Sequence, residues 1–129
     1  MAVLRVMAGI LGVLVVVALA VLIYLSCGLR QGAILAISNV DFSALPDGIY
    51  RGTYQGGRWT NTVEVAVLSG MIRSIRVIKD VQFQLDHVRE QVLERIVEEQ
   101  STVVDAVSGA TVTSKAYMKA VENALTPQE

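Results

Sequence analysis

The residues best suited to chemistry form one run, Asp105-Ala106-Val107-Ser108-Gly109-Ala110-Thr111, continued by Val112-Thr113-Ser114-Lys115. Gly109 has no Cβ, so backbone N–H groups beside it can approach a ligand closely. A helix beginning just after this loop offers N–H groups without intrahelical partners and a partial positive charge. Both favour a bound phosphate. Ser108, Thr111, Thr113 and Ser114 add hydroxyls, and Lys115 in the first turn adds a full positive charge. The Thr111 hydroxyl is also the one group an ester linkage requires. The same residues fit a plainer role, a Ser-Gly loop that closes one element and a Thr-x-Thr-Ser start that caps the next helix. The run is not a Walker loop, and the chain has no Gly-x-Gly-x-x-Gly.

The remaining residues suggest no catalytic set. His87 is the only histidine and falls in the first turn of an expected helix, where a solvated role is simplest. Cys27 is the only cysteine, which rules out an internal disulfide and a cysteine-based metal site. No paired-carboxylate site, Ser-His-Asp set or metal cluster is suggested. Glu94, Glu98 and Glu99 read as a wet helix face.

Several elements must position the run. Pro46-Asp47-Gly48 signals a turn. Residues 49–54 suit a strand through Ile49, Tyr50, Thr53 and Tyr54. Gln55-Gly56-Gly57-Arg58 makes a turn into residues 59–68, where Val63, Val65 and Val67 alternate with Thr62, Glu64 and Ala66. Ser69-Gly70 is a two-residue hairpin turn. Ile72, Ile75, Val77 and Ile78 make a third strand, with Arg73, Arg76 and Lys79 toward water. Asp86 is placed to N-cap a helix reaching about residue 100, with Leu85, Val88, Val92, Leu93, Ile96 and Val97 as its apolar face. A last helix is expected over residues 113–125, packing through Ala116, Tyr117, Ala120, Val121 and Ala124 and stopped by Pro127. The fold class is therefore α+β: a small antiparallel sheet packed with two helices, preceded by an apolar segment.

That segment, residues 6–26, carries no charge and accounts for much of the 53% hydrophobic content of the 129-residue chain. About 20 such residues, rising roughly 1.5 Å each, cross a hydrocarbon core of about 30 Å. We read residues 1–27 as a transmembrane anchor in the lipid bilayer, 28–45 as a juxtamembrane connector and 46–129 as one domain. A cleaved signal peptide is the rival, although the apolar run is long and no A-x-A-like site follows it. A lipid-modified Cys27 is a further alternative, poorly supported by Tyr24 and Leu25. Arg5 and Arg30 flank the segment, so the positive-inside count is close to even. All 12 acidic residues follow the segment and no basic stripe appears, which argues against nucleic acid. A deep, closed active site is hard to build from a domain of this size, which argues for a module that carries a ligand.

The pattern Asp105-x-x-Ser108-Gly109-Ala110-Thr111 resembles the flavinylation motif of the FMN-binding domain family, Asp-x-x-Ser/Thr-Gly-Ala-Thr. Such domains occur in the C subunit of sodium-translocating NADH:quinone reductase and the G subunit of the Rnf complex. Residues 45–54 resemble the family's opening strand, residues 62–65 and 75–77 its hairpin, and residues 104–125 its end. The resemblance spans about residues 46–125. It implies that Thr111 bears FMN as a phosphoester, with Ser108, Gly109 and Ala110 shaping the loop. Asp105 would be needed by the modifying FAD:protein FMN transferase, which takes FMN from FAD with magnesium.

The resemblance further implies an electron carrier whose domain lies outside the cytoplasm and exchanges electrons with a membrane reductase or quinone-linked partner. The chain lacks the extra segments of the pump subunits and looks like a small stand-alone member. Val112, Thr113, Ser114 and Lys115 are expected around the cofactor. Tyr117, Trp59, Tyr54 and Tyr50 are candidate platforms for the isoalloxazine, with core packing as their alternative role. Two other functions stay open: an oxidoreductase holding FMN non-covalently, and a flavin-free anchored interaction module.

Overall fold

The computed structural model describes residues 1–26 and 35–126. Cys27, Arg30 and Pro127, and the readings attached to them, lie outside the described residues. Helix α1 (Ala2–Ser26) is 25 residues long, and none of them is buried by the rest of the chain. At roughly 1.5 Å per residue it is long enough to cross a membrane.

The globular part is an antiparallel sheet of β1 (Gly48–Tyr54), β2 (Asn61–Leu68) and β3 (Met71–Lys79) in the order β1-β2-β3. Two helices, α2 (Asp86–Glu99) and α3 (Thr111–Leu125), complete it. This is the α+β architecture expected from the sequence. Alternation in β2 puts Val63, Val65 and Val67 in the core. Ser69 and Gly70 both hold positive φ, 54° and 71°, the signature of a type I′ hairpin turn.

Strand β3 departs from simple alternation. Ala66 pairs with Ser74 but Val67 with Ile72, and Thr62 pairs with Lys79 but Val63 with Val77. Arg73 and Ile78 are thus left over as bulge residues. The first bulge lets Ile72 and Ile75, three apart, both turn inward. The second leaves Ile78 at the surface, 42% exposed, instead of inward with Ile72, Ile75 and Val77.

Helix α3 lies across β1 and β2, and α2 packs on β3 and α3, so both helices cover one face of the sheet. Ala116, Tyr117, Ala120, Val121 and Ala124 are buried as the spacing predicts, joined by Met118 and Leu125. The approach of α3 to β1 is close. A Cβ at Gly52 would fall 2.2 Å from the Ala120 carbonyl oxygen and 2.2 Å from the Ala124 nitrogen. Only glycine on the strand allows that distance.

In α2, Val88, Val92 and Ile96 are buried. Leu85, grouped with them by spacing, is the cap residue and 47% exposed, while Asp86 is the first helical residue and not the cap. Gln100 closes the helix in the left-handed conformation. Its side chain exchanges hydrogen bonds with the N–H and carbonyl of Ile72, 2.8 and 2.9 Å. Residues 35–45 have no regular structure but pack on the domain. Phe42 joins the core, and Thr102 Oγ1 accepts from the Val40 N–H at 3.0 Å and donates to the Ser38 carbonyl at 2.7 Å.

Candidate functional site

The loop before α3 is a tight turn tied to the helix it feeds. The Ala110 N–H donates to the Val107 carbonyl at 2.9 Å, and Gly109 holds φ at +79°. This is the third position of a turn, where a type II geometry calls for glycine. The first helical bond runs from the Ser114 N–H to the Ala110 carbonyl, 2.9 Å. The buried Ser114 hydroxyl also donates to that carbonyl at 2.6 Å and accepts from the Val107 N–H at 3.0 Å. Ser114 therefore fixes the loop to the first turn of α3 and is not itself presented to a ligand. On the other side, the Arg95 guanidinium donates to the Asp105 carbonyl at 2.8 Å.

Helix α3 begins at Thr111, two residues before the expected start at Thr113. Its N-cap is Ala110, which has no side-chain oxygen, and no side chain among the described residues caps the helix. The helix-cap role open to these residues in the sequence is thus not taken. The first turn borders a cleft of ≈ 380 Å³ lined by Gly109, Ala110, Thr111, Val112 and Thr113 on one side and by Arg58 and Trp59 on the other. Thr111 is exposed at its rim. A Cβ on Gly109 would meet nothing within 4 Å, so the space above the loop is open.

The opposite wall is a single 3-10 turn, Gly57–Trp59. Trp59 Nε1 donates to Thr113 Oγ1 at 3.2 Å, which ties this turn to the first turn of α3. The Arg58 guanidinium stacks over the Trp59 ring at 4.0 Å. The cleft therefore combines a helix N-terminus, a cation and an indole. A phosphate fits the first two; the indole itself is buried, 3% exposed, beneath the guanidinium.

Asp105 and Ser108 are exposed on the loop. Lys115 is partly buried and does not line the cleft. Tyr117 is fully buried and its hydroxyl donates to Asp80, so it belongs to the core and not to the cleft. Burial, followed by that hydrogen bond to Asp80, pushes its phenol well above the ordinary tyrosine range. Tyr54 is buried too, and Tyr50 is held by its hydroxyl on the Pro46 carbonyl at 2.5 Å. Of the aromatic candidates, Trp59 alone is among the cleft-lining residues. His87 is exposed on α2. Arg58 is the site residue that sequence reasoning missed. Its signal was a cation beside the one tryptophan, straight after Gly56-Gly57.

Among known proteins, the FMN-binding domain family matches residues 56–126, more than half of the chain, and the chain belongs to that family. No curated protein matches it. The match takes in both walls of the cleft, from the 3-10 turn to the end of α3.

Proposed function

We propose that this member of the FMN-binding domain family is a membrane-anchored electron carrier whose FMN is bonded through its phosphate to Thr111, on the extracytoplasmic side. The observation that carries this reading is the uncapped start of α3 at Thr111, opening onto a cleft with a guanidinium opposite. The N–H groups of the first turn, which have no intrahelical partners, and Arg58 stabilise the phosphate charge. Thr111, the first helical residue, bears the accepting hydroxyl at the rim, where the FAD:protein FMN transferase can reach it. Its oxygen forms the new bond to phosphorus as the AMP portion of FAD leaves, with magnesium supplied by the transferase. The exposed Asp105 and Ser108 lie where that enzyme must dock, and Gly109 gives the loop its shape.

A bound flavin accepts and delivers one or two electrons. The chain's own residues position it: the α3 start and Arg58 hold the phosphate end, and the buried Trp59 supports Arg58 from below. Helix α1 keeps the domain at the bilayer, beside a membrane reductase or quinone-linked partner.

The test is flavin fluorescence of the denatured protein on a gel after co-expression with an FMN transferase. A fluorescent wild-type band that goes dark in Thr111→Val is the expected result. A dark wild-type band, with the transferase active on a control substrate, would overturn the covalent reading.

A further inference from the structure

Between β3 and α2 the chain passes through Gln82, Phe83, Gln84 and Leu85. Phe83 holds φ at 57°, a region that bulky side chains seldom enter. Its ring is 69% exposed, and Leu85 beside it is 47% exposed. Two large apolar side chains on one short loop are therefore presented outward by a backbone held in an uncommon conformation.

The same loop meets the end of α1. The Tyr24 hydroxyl donates to Gln82 Oε1. Arg58 Nε donates to the Leu25 carbonyl at 3.3 Å, one of the last carbonyls of α1, which have no intrahelical donors. The Arg58 guanidinium lies 5.8 Å from the Phe83 ring centroid. A spanning helix places the tyrosine near its end at headgroup level, where aromatic rings and arginines collect. Whatever bonds to Tyr24 and Leu25 sits at that depth.

We propose that Phe83 and Leu85 insert into the headgroup region of the bilayer crossed by α1, with Arg58 level with the lipid phosphates. The inference rests on α1 remaining a membrane span. Because Arg58 is also a wall of the cleft, the insertion holds the Thr111 site at the membrane surface and fixes the domain's orientation there. Two side chains are too small a patch for a stable protein interface of about 1,000 Å² or more. They suit a lipid surface, where insertion needs no matching partner and adds to an existing anchor.

The experiment uses the full chain in phosphatidylcholine nanodiscs, expressed without the transferase so that no flavin absorbs the emission. Phe83→Trp and, separately, Leu85→Trp are compared with wild type, whose emission comes from Trp59 and is subtracted. Lipids labelled with doxyl at carbon 5 or carbon 16 of the acyl chain report depth, and iodide reports water. The expected result is added emission quenched several-fold more by the 5-doxyl than by the 16-doxyl lipid and shielded from iodide. Emission quenched by iodide and untouched by either lipid would overturn the proposal. Emission shielded from all three quenchers would also overturn it, since another protein surface would then be covering the loop. Alkaline carbonate extraction of membranes separates the two levels. Release of the chain would refute the anchor and the loop together, whereas a retained chain with lipid-insensitive tryptophans would refute the loop alone.

Discussion

Substituting Gly52 by alanine should unseat α3, and with it the site. The new Cβ would lie 2.2 Å from two backbone atoms of α3 and 2.6 Å from the Ala124 Cα. Ordinary contact needs about 3.5 Å, so the helix must retreat by roughly 1 Å, since backbone has no alternative rotamer. Ala120 and Val121, both fully buried on this face, would each lose part of their contact. Overpacking typically costs about 1–3 kcal/mol, and a clash with backbone on both sides belongs at the upper end, about 3 kcal/mol. With a urea slope of about 1.5 kcal/mol/M for a domain this small, the midpoint should fall by about 2 M. Trp59 is the right probe: it is the only tryptophan and 3% exposed, whereas a far-ultraviolet signal in micelles would include α1. Gly48→Ala is the control in the same strand, because a Cβ there meets nothing within 4 Å. It should be neutral or stabilising by about 0.5 kcal/mol. A midpoint shift under about 0.3 M for Gly52→Ala, or equal losses at the two glycines, would refute the close-packing argument.

Two further outcomes follow from the hydrogen bonds and charges. Ser114→Ala strands the buried Val107 N–H and should lower stability by about 1–3 kcal/mol, measured as a urea midpoint, while the exposed Ser108→Ala stays within about 0.5 kcal/mol. Equal effects of the two substitutions would show that Ser114 does not hold the loop. The Glu64 carboxyl bonds Arg51 at 2.7 Å and Arg76 at 2.9 Å, which holds it below the usual carboxylate range. Its contribution is present above the unfolded value of 4.5 and is lost as pH falls through the lower folded value, so Glu64→Gln should flatten the acid limb of the stability profile below pH 4.5. Parallel acid limbs in the two proteins would count against it.

What the sequence disclosed and what it hid divide along the range of the interactions. Valine alternation in β2 and the Ser69-Gly70 turn are local and were readable. The bulges at Arg73 and Ile78 were not, because a bulge is a mismatch between strands and β3 alone carries only a hint, the three-residue step from Ile72 to Ile75. Helix starts were misplaced by two residues at α3 and by one at α2. Both are capped by residues without a side-chain oxygen, Ala110 and Leu85, to which no capping rule points. The Thr111 loop was readable as a candidate phosphate holder. Arg58 in its far wall was not, because it comes from a 3-10 turn distant in sequence, tied to the helix through the Trp59–Thr113 hydrogen bond. Of the two roles open to Tyr117, the structure shows the one given by helical spacing, core packing.

The shape of the cleft bears on what the proposed covalent tether would contribute. Pockets that hold cofactors by contact alone enclose most of the ligand surface. Here a three-stranded sheet with both helices on one face leaves a shallow groove at the start of α3, walled by seven residues. Such a groove supplies charge but little enclosure, so a flavin held only by contact would exchange rapidly. On the proposed reading, the bond to Thr111 removes that exchange and the groove only has to orient the ring. The same lack of enclosure then becomes useful, since electron transfer to a partner requires an approachable ring edge. A deeper pocket would improve retention at the expense of access. On that reading, a tethered cofactor on an open surface separates the two requirements by giving retention to one covalent bond and access to the fold.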